Sequence, residues 1–169
     1  MSRIPDQHRK EAPREAGCAV VTVSDTRTLD TDSGGQTAVD LLVEAGHPVL
    51  VREIIPDKPQ PMRQLLAELR DRDDVDAVLL TGGTGIGSRD QTFETVAALL
   101  DKPLPGYGEL FRMLSFEQIG SAAMLSRAAG GLFGRTVVLT MPGSPAAVRL
   151  AMQRLILPEL GHLLREARR

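Results

Sequence analysis

The segment 81–92 contains the residue types that phosphate chemistry needs. Four glycines fall within six residues, and glycine lets a backbone approach a ligand closely and adopt positive φ. They are Gly82, Gly83, Gly85 and Gly87. Arg89 and Asp90 follow, so the segment offers backbone amides and a guanidinium for phosphate, and a carboxylate for a metal ion. Taken singly, Asp90 is as well explained by helix capping and Arg89 by a solvated surface charge.

Two familiar glycine motifs do not fit this segment. A P-loop requires a Gly-Lys-Ser/Thr ending at a fixed spacing, and the sequence does not provide it. The dinucleotide fingerprint requires a third glycine at a different offset and an acidic residue at the end of the next strand. The sequence has neither. The glycine-rich turn alone is therefore a weak indication of a ligand site, and its neighbours must support it.

A second acidic residue, Asp57, follows an apolar run within the sequence Pro-Asp-Lys-Pro. This is ordinary turn material, so in isolation Asp57 would be structural. Its position is informative because Asp57 and Asp90 each follow the end of a predicted strand, and ligands of parallel sheets bind beyond those ends. Magnesium takes few carboxylates and keeps several waters, so two such residues with substrate phosphates suit a magnesium site.

Three further turns have the residue types of an anion site. Ser24 and Asp25 follow the first apolar run, Ser33-Gly34-Gly35 precedes a helical pattern, and Pro142-Gly143-Ser144 follows the last apolar run. Free amides and the helix dipole attract anions at a helix start. Helix capping explains the same residues, since Ser144 is followed by a proline suited to the first helical position. Both interpretations stay open at this point.

The elements that would position these residues alternate between strand and helix patterns. Four short apolar runs are nearly continuous rather than alternating, which is typical of parallel strands covered on both faces. They are Cys18–Val23, Val49–Ile55, Ala77–Thr81 and Thr136–Thr140. This alternation predicts an α/β domain with a parallel or mostly parallel sheet and helices on both faces.

Four helical patterns lie between or after these runs. The first has a capping-box spacing at Ser33–Gln36 and a stop at Gly46, and the second has apolar residues at helical spacing from Met62 to Leu69. A third is predicted over Thr92–Leu100. The last is predicted from Pro145 to Pro158, with a helical restart beyond it to Ala167.

Composition excludes several classes of function. The net charge of −2 and an aromatic content of 3% make nucleic acid a poor ligand, and no stretch is apolar for long enough to span a bilayer. Residues 1–16 are polar and contain proline, so we expect a flexible arm before a single domain over 17–169. Cys18, the one cysteine, is expected to be a small core residue. Since the arm lacks the apolar core of a signal peptide, we expect a cytoplasmic protein.

The ordered set of motifs resembles the MoaB/Mog family of molybdopterin-binding proteins, and more closely its MoaB branch. The resemblance covers residues 17–165. The motifs that carry it are Val23-Ser24-Asp25-Thr26, Ile55-Pro56-Asp57, Thr81-Gly82-Gly83-Thr84-Gly85, Arg89-Asp90, Gly106-x-Gly108-Glu109, Leu125-Ser126-Arg127 and Met141-Pro142-Gly143-Ser144-Pro145. Single motifs are weak, but their order and spacing are specific.

The resemblance implies a three-layer α/β molybdopterin-binding fold that forms a homotrimer or homohexamer and works with other cofactor-assembly proteins. It implies magnesium-dependent transfer of AMP from ATP to the terminal phosphate of molybdopterin, with release of pyrophosphate. The family's two important aspartates fall on Asp57 and Asp90, and its pterin-contacting hydroxyls on Thr84, Ser115 and Ser126. The remaining expected ligand contacts are Ser24, Asp25, Ser33, Gly34, Gly35, Gly82, Gly83, Gly85, Arg89, Glu109, Arg127, Pro142, Gly143 and Ser144.

The residues are compatible with this chemistry, because phosphoryl-type transfer asks a protein mainly for alignment and charge neutralisation rather than a covalent nucleophile. Three alternatives stay open. A pterin carrier or scaffold would need the crevice but not both aspartates. An oxidoreductase with a divergent glycine loop is disfavoured by the missing third glycine. A structural trimer would use the motifs only as caps and turns.

Overall fold

A computed structural model of the chain describes residues 15–169 and shows a six-stranded sheet at the centre of the domain. The strands are β1 (Cys18–Val23), β2 (Val49–Ile55), β3 (Ala77–Thr81), β4 (Lys102–Pro103), β5 (Gly130–Phe133) and β6 (Thr136–Met141). Their order in the sheet is β2-β1-β3-β6-β5-β4. The first four of that order are parallel, while β5 is antiparallel to both β6 and β4. The prediction of a mostly parallel sheet is confirmed.

Helices cover both faces of the sheet. They are α1 (Ser33–Glu44), α2 (Pro59–Arg70), α3 (Thr92–Ala97), α4 (Pro105–Ile119), α5 (Pro145–Ala151) and α6 (Leu157–Ala167). Apolar residues of α2 and α3 pack on one face, and those of α1, α4, α5 and α6 pack on the other. The predicted three-layer α/β arrangement is therefore present.

Strand β1 shows why the strand patterns were continuous rather than alternating. Cys18 and Val20 belong to the core beneath α1 and α6, whereas Ala19 and Val21 belong to the core beneath α2. All four side chains are fully buried. A strand covered on both faces must be apolar at every position, and β1, β3 and β6 confirm this interpretation of their runs. The expectation is wrong for β2, which is a strand but lies at the edge of the sheet with most of its residues exposed or half-buried.

The structure differs from the sequence-based expectations at five places. No pattern predicted α4 or the short strands β4 and β5. The third helix ends at Ala97 rather than Leu100, because the chain leaves to pair with β5 through a bond from Asp101 N to Leu132 O of 2.8 Å. The predicted break at Pro158 is wrong, since a π turn at Met152–Ile156 joins α5 to α6. The shifted hydrogen bonding of this π turn places Pro158 in the first turn of α6. Backbone amides in the first turn of a helix have no partner within the helix, so the missing amide proton of Pro158 costs no hydrogen bond there.

The start of α1 also differs from the expected capping box. Asp32, not Ser33, is the N-cap: its Oδ1 accepts the amide of Gly35 at 2.9 Å. Its Oδ2 accepts the hydroxyl of Thr22 on β1 at 2.6 Å and lies 3.7 Å from a guanidinium nitrogen of Arg52 on β2. A carboxylate can be buried here because these three groups together compensate its charge. The predicted stop of α1 is confirmed, as Gly46 has φ +84°.

Most of the proposed arm, residues 1–14 of 1–16, lies outside the described residues, so the arm and the 17–169 boundary stay predictions. Cys18 is buried, as expected of a core residue. Within residues 15–169, no helix is both long and apolar enough to cross a membrane. The cytoplasmic location stays a prediction.

Replacing Asp32 with alanine should lower the free energy of unfolding by about 2 kcal/mol. The loss combines a missing N-cap with a buried Thr22 hydroxyl that no longer has its acceptor. Urea denaturation followed by circular dichroism measures it. Ser33→Ala is the matched control, because Ser33 is exposed and does not cap the helix, and it should change the value by less than about 0.5 kcal/mol. Equal losses in both variants would contradict the assignment of the cap.

Candidate functional site

The turns that follow β1, β2, β3 and β6 meet at the carboxyl edge of the sheet. The amide of Ser24, after β1, donates to Ile55 O of β2 at 2.9 Å, and the amide of Gly82, after β3, donates to Met141 O of β6 at 3.0 Å. Gly82 has φ +94°, and a Cβ there would stand 2.4 Å from Val23 O. Only glycine permits this close approach to Val23 O, so the turn requires glycine at position 82 for a steric reason.

Asp57 lies half-buried at this edge and joins two distant turns. Its Oδ1 accepts the amide of Gln91 at 3.0 Å, and its own amide donates to Asp25 Oδ1 at 3.1 Å. Burial is the main cause that raises the pKa of Asp57, and the nearby charges of Asp90 and Asp25 raise it further. The bond from Gln91 and the charge of Arg89 act in the opposite direction. The carboxylates of Asp57 and Asp90 therefore lie close enough to interact.

Asp90 is held in the glycine-rich loop. Its Oδ2 accepts the amide of Gly87 at 2.7 Å, and a Cβ on Gly85 would stand 2.7 Å from the same oxygen. It does not cap α3, whose N-cap position is Gln91 and has no side-chain cap bond. Asp57 likewise does not cap α2, which follows Lys58. The structural explanation by helix capping thus applies to neither aspartate.

Arg127 organises the glycine-rich loop rather than projecting freely from it. Its guanidinium donates to the carbonyl oxygens of Thr84 at 3.4 Å and Asp90 at 3.3 Å, and also to the carbonyl of Gly85. It forms an ion pair with Glu94 on α3. These bonds already use the guanidinium, so the expected ligand contact of Arg127 is indirect. Arg89, in contrast, is exposed, where its charge can meet a phosphate.

The three hydroxyls expected to contact the pterin differ in their surroundings. Thr84 is buried within the glycine-rich loop. Ser115 is buried in α4, and its Oγ donates to Phe111 O at 2.7 Å. Ser126 Oγ is buried and has no hydrogen-bond partner among the residues that the structure describes. Of the three, Ser126 thus has a hydroxyl with unused bonding capacity in this chain.

Two of the turns expected to bind anions pack against each other beside the glycine turn. Gly34 at the start of α1 packs so tightly on the turn after β6 that a Cβ would stand 2.3 Å from Gly143 O. Ser33 and Gly143 are exposed beside this contact, and Pro142 is half-buried. Ser144 caps α5 through a 3.3 Å bond from Ala147 N.

Two other expected contacts have local roles. Gly35 is buried and donates its amide to the α1 cap at Asp32. Ser24 accepts the amides of Thr26 and Arg27 at 3.2 and 3.1 Å, which closes the turn after β1. These amides and hydroxyls are engaged within the chain, and their expected ligand contacts stay predictions.

Two hollows lie near these turns, and neither Asp57 nor Asp90 lines them. One of about 540 Å³ is lined by Ser24, Asp25 and Arg27 on one side and by β2 and Pro56 on the other. The second, of about 270 Å³, lies between α3 and α4 and is lined by Glu109, Arg112 and otherwise mostly apolar groups. Glu109 is exposed at its rim, so its expected ligand contact would be made in this second hollow.

The donor set fits a hard cation that needs few protein ligands. Within residues 15–169, no group of three or more His, Cys, Asp or Glu side chains is placed to hold a metal ion. Asp57 and Asp90 each bind a backbone amide through one oxygen, which leaves the other oxygen for a cation. Magnesium is commonly held by one or two carboxylates together with substrate phosphates, so this pair fits it.

The chain offers no thiol for covalent catalysis at this site. Cys18 is buried at the other end of β1, and burial raises its pKa to about 12. A thiol at that pKa is protonated at neutral pH and is not nucleophilic. The arrangement suits the alignment of anionic groups around a cation instead.

Sequence reasoning missed three residues that shape the site. Gln91 supplies the amide that holds Asp57, and Glu94 supplies the ion pair that anchors Arg127. Thr92 is fully buried beside Gly83, and its hydroxyl has no partner among the described residues. Gln91 acts through its backbone, which leaves no signal in residue type. Thr92 lies two residues after Asp90, and this proximity to the Arg89-Asp90 motif could have drawn attention to it.

The chain is similar to proteins of known family. A family model described as a probable molybdopterin binding domain matches residues 19–162. The molybdenum cofactor biosynthesis protein B of Bacillus cereus is 56% identical over 164 residues, which cover 96% of this chain and 97% of that protein. The protein of the same name from Bacillus subtilis is 50% identical over 165 residues and 96% of each chain.

Solved structures agree with these matches. A crystal structure of a molybdenum cofactor biosynthesis protein B has a TM-score of 0.90 at 56% identity and covers 93% of this chain and 98% of that one. The tungsten cofactor synthesizing protein MoaB of Pyrococcus furiosus has a TM-score of 0.84 at 34% identity, over 94% and 100% of the two chains. The resemblance inferred from the motifs is thereby confirmed, and the chain belongs to the molybdopterin-binding-domain family that includes MoaB.

Proposed function

We propose that the protein acts in molybdenum cofactor biosynthesis as a magnesium-dependent molybdopterin adenylyltransferase. The observation that carries the proposal is the convergence of Asp57 and Asp90, from turns after different strands, on one crevice. The names of relatives up to 56% identical support the pathway, and the family model supports molybdopterin as the ligand. We infer ATP, magnesium and the transfer itself from the family resemblance, with which the two carboxylates of Asp57 and Asp90 are compatible.

The proposed reaction exchanges one phosphorus–oxygen bond for another. An oxygen of the terminal phosphate of molybdopterin bonds to the α-phosphorus of ATP, and the bond from that phosphorus to the bridging oxygen of the β-phosphate breaks. The electron pair of the broken bond leaves with pyrophosphate. Because the attacking phosphate is already anionic at neutral pH, the protein need not supply a general base. Its task is to align three anionic groups that repel one another.

The crevice contains groups suited to that task. Asp57 and Asp90 would hold magnesium, which supplies charge neutralisation between the phosphates. Arg89 is exposed beside them and would offset phosphate charge. Gly82 and Gly83 let this turn pack closely against Val23, Thr92 and Asp57. Thr84, Ser115 and Ser126 would contact the pterin, as the family resemblance implies.

A carrier that binds molybdopterin without modifying it is the alternative to this enzyme. Both functions need the crevice, but only the enzyme needs the two carboxylates. Asp57 and Asp90 carry like charges that repel each other when the two side chains are held close together. A carrier of an anionic ligand would gain nothing from this arrangement. This cost favours the enzyme.

We further propose that the protein assembles as a homotrimer or homohexamer through α4. Several large apolar side chains are exposed on α4 and on the short helical turn that follows it. These residues, the α4 surface, are Leu110, Met113, Phe116, Ile119, Met124 and Leu125. A contiguous apolar surface of this kind marks a protein–protein contact, and a second copy of the chain can bury it without requiring another partner. Contacts with other cofactor-assembly proteins stay a prediction.

Asp57→Asn and Asp90→Asn should each reduce AMP transfer about a hundredfold or more, since each removes one charge that would hold the metal. Purified protein is incubated with MgATP and molybdopterin, and released pyrophosphate is measured. Asp73→Asn is the control, because Asp73 lies before β3 at the opposite edge of the sheet. Full pyrophosphate release by Asp90→Asn would refute the assignment, and no release by the unmodified protein would favour the carrier.

Asp57→Asn should at the same time be no less stable than the unmodified protein at neutral pH. The pKa of Asp57 is raised above its usual value, so the folded protein holds the ionised form less well than the unfolded chain does. Stability from this group is therefore lost as the pH rises through the usual aspartate range, and asparagine avoids the loss. Urea midpoints at pH 7 and pH 4 test this, and the gain should be larger at pH 7. A large drop in the midpoint at pH 7 would contradict it.

Phe116→Glu should convert the assembly to monomers, because it places a charge on an exposed apolar side chain of the α4 surface. Multi-angle light scattering after size-exclusion chromatography measures the mass. Val43→Glu on α1 is the matched control, since Val43 is equally exposed and apolar but lies outside the α4 surface. An unchanged mass for Phe116→Glu, or monomers from both variants, would contradict the proposed interface.

A further inference from the structure

Three buried hydroxyls have no hydrogen-bond partner in the part of the chain that the structure describes. They are Thr81 Oγ1, Thr92 Oγ1 and Ser126 Oγ. All three adjoin the candidate crevice: Thr81 ends β3 just before the glycine turn, Thr92 begins α3, and Ser126 precedes Arg127. A buried hydroxyl without a partner costs folding free energy, so its retention at one place calls for a functional explanation.

Thr92 is placed most specifically of the three. Its side chain is fully buried, and its amide donates to Gly83 O at 3.1 Å, which fixes the start of α3 against the glycine turn. A Cβ on Gly83 would stand 2.3 Å from Thr92 Oγ1 and 2.6 Å from Asp57 Oδ2. The hydroxyl and the carboxylate oxygen therefore both border the space that a side chain on Gly83 would occupy.

The two oxygens of Asp57 have different surroundings. Oδ1 accepts the amide of Gln91, which fixes one end of the carboxylate. Oδ2 points towards Gly83 and the unpartnered hydroxyl of Thr92. A carboxylate that binds a cation is normally oriented by further hydrogen bonds, and the loss of one such bond typically weakens metal binding or activity about 10–100-fold.

We propose that Thr92 is a positioning residue for Asp57: its hydroxyl is the donor that orients Oδ2 when a cation and a nucleotide occupy the crevice. Gly83 makes this possible, because any side chain there would separate the two groups. The inference rests on the proposed function, since it takes magnesium and ATP as the occupants. It adds a residue that acts on the aspartate and does not itself touch the substrate.

Thr92→Val separates this role from a purely structural one. Valine has nearly the shape of threonine but lacks the hydroxyl, so it removes a buried group that has no partner. If the hydroxyl only filled space, the variant would be as stable or more stable, and its ligand binding would not change. If the hydroxyl positions Asp57, the variant is as stable or more stable but binds a cation with nucleotide less tightly.

The experiment measures Mn²⁺ binding to the full chain with ATP and without molybdopterin, so that no turnover occurs. Because ATP itself binds Mn²⁺, preformed MnATP is titrated into the protein, and isothermal titration calorimetry gives the dissociation constant. Thr92→Val should raise it about 10–100-fold, and Thr92→Ser, which keeps the hydroxyl, should restore it. Thr95→Val is the matched control, because Thr95 is a buried threonine one turn further along α3. It should leave Mn²⁺ affinity unchanged.

The variants separate failure of this inference from failure of the proposed function. If Thr92→Val binds Mn²⁺ as tightly as the unmodified protein while Asp57→Asn binds it weakly, the proposed role of Thr92 is wrong and the metal site remains supported. If Asp57→Asn binds Mn²⁺ as tightly as the unmodified protein, the metal site is wrong, and the inference about Thr92 is wrong with it. Urea denaturation checks the fold of each variant. If Thr92→Val does not fold, Thr92→Ala replaces it, and the proposal then requires weaker binding by Thr92→Ala than by Thr92→Ser.

Discussion

The hydrogen bond from the Gln91 amide to Asp57 Oδ1 connects two turns that are 34 residues apart, and the candidate site depends on it. It brings the end of the glycine-rich loop against the turn after β2, so that the carboxylates of Asp57 and Asp90 lie close enough for their charges to interact. The bond is possible because β1 lies between β2 and β3, and all three run in the same direction. Their carboxyl ends reach the same edge of the sheet, where a parallel α/β sheet binds its ligands.

The crevice is assembled at a cost in stability. Burial and neighbouring acids raise the pKa of Asp57, and three hydroxyls around the glycine loop are buried without partners among the described residues. Gly82 and Gly83 both have positive φ, which is strained for any other residue. The two covered faces of the sheet provide the apolar burial that can offset these costs. The residues at this edge of the sheet depart from the usual rules for a stable fold, while those of the core follow them. This pattern is expected of a functional site.

Sequence patterns predicted the elements whose environment is uniform along their length. Strands β1, β3 and β6 are buried on both faces, so their apolar runs were unambiguous. Strand β2 lies at the edge of the sheet and is only partly buried, although its run was also predicted as a strand. Helix α4 escaped prediction because both of its faces are partly apolar: Phe111 and Leu114 are buried while Met113 and Phe116 are exposed, which removes the amphipathic period. The strand ends predicted where Asp57 and Asp90 would meet. The bonds that hold them involve backbone groups of Gln91 and Gly87, which residue types do not specify.

The two apolar faces of α4 connect the crevice to self-assembly. Ser115 and Phe116 are neighbours in sequence, yet one is buried against the domain and the other belongs to the exposed α4 surface. Glu109, on the first turns of the same helix, lines the hollow next to α3. A contact between copies through the α4 surface would therefore restrain the helix that carries two expected ligand contacts. Because a helix moves as a rigid rod, packing on its outer face and ligand alignment on its inner face would be coupled. Under the proposed function, α4 would thus connect oligomerisation with pterin binding through a single element.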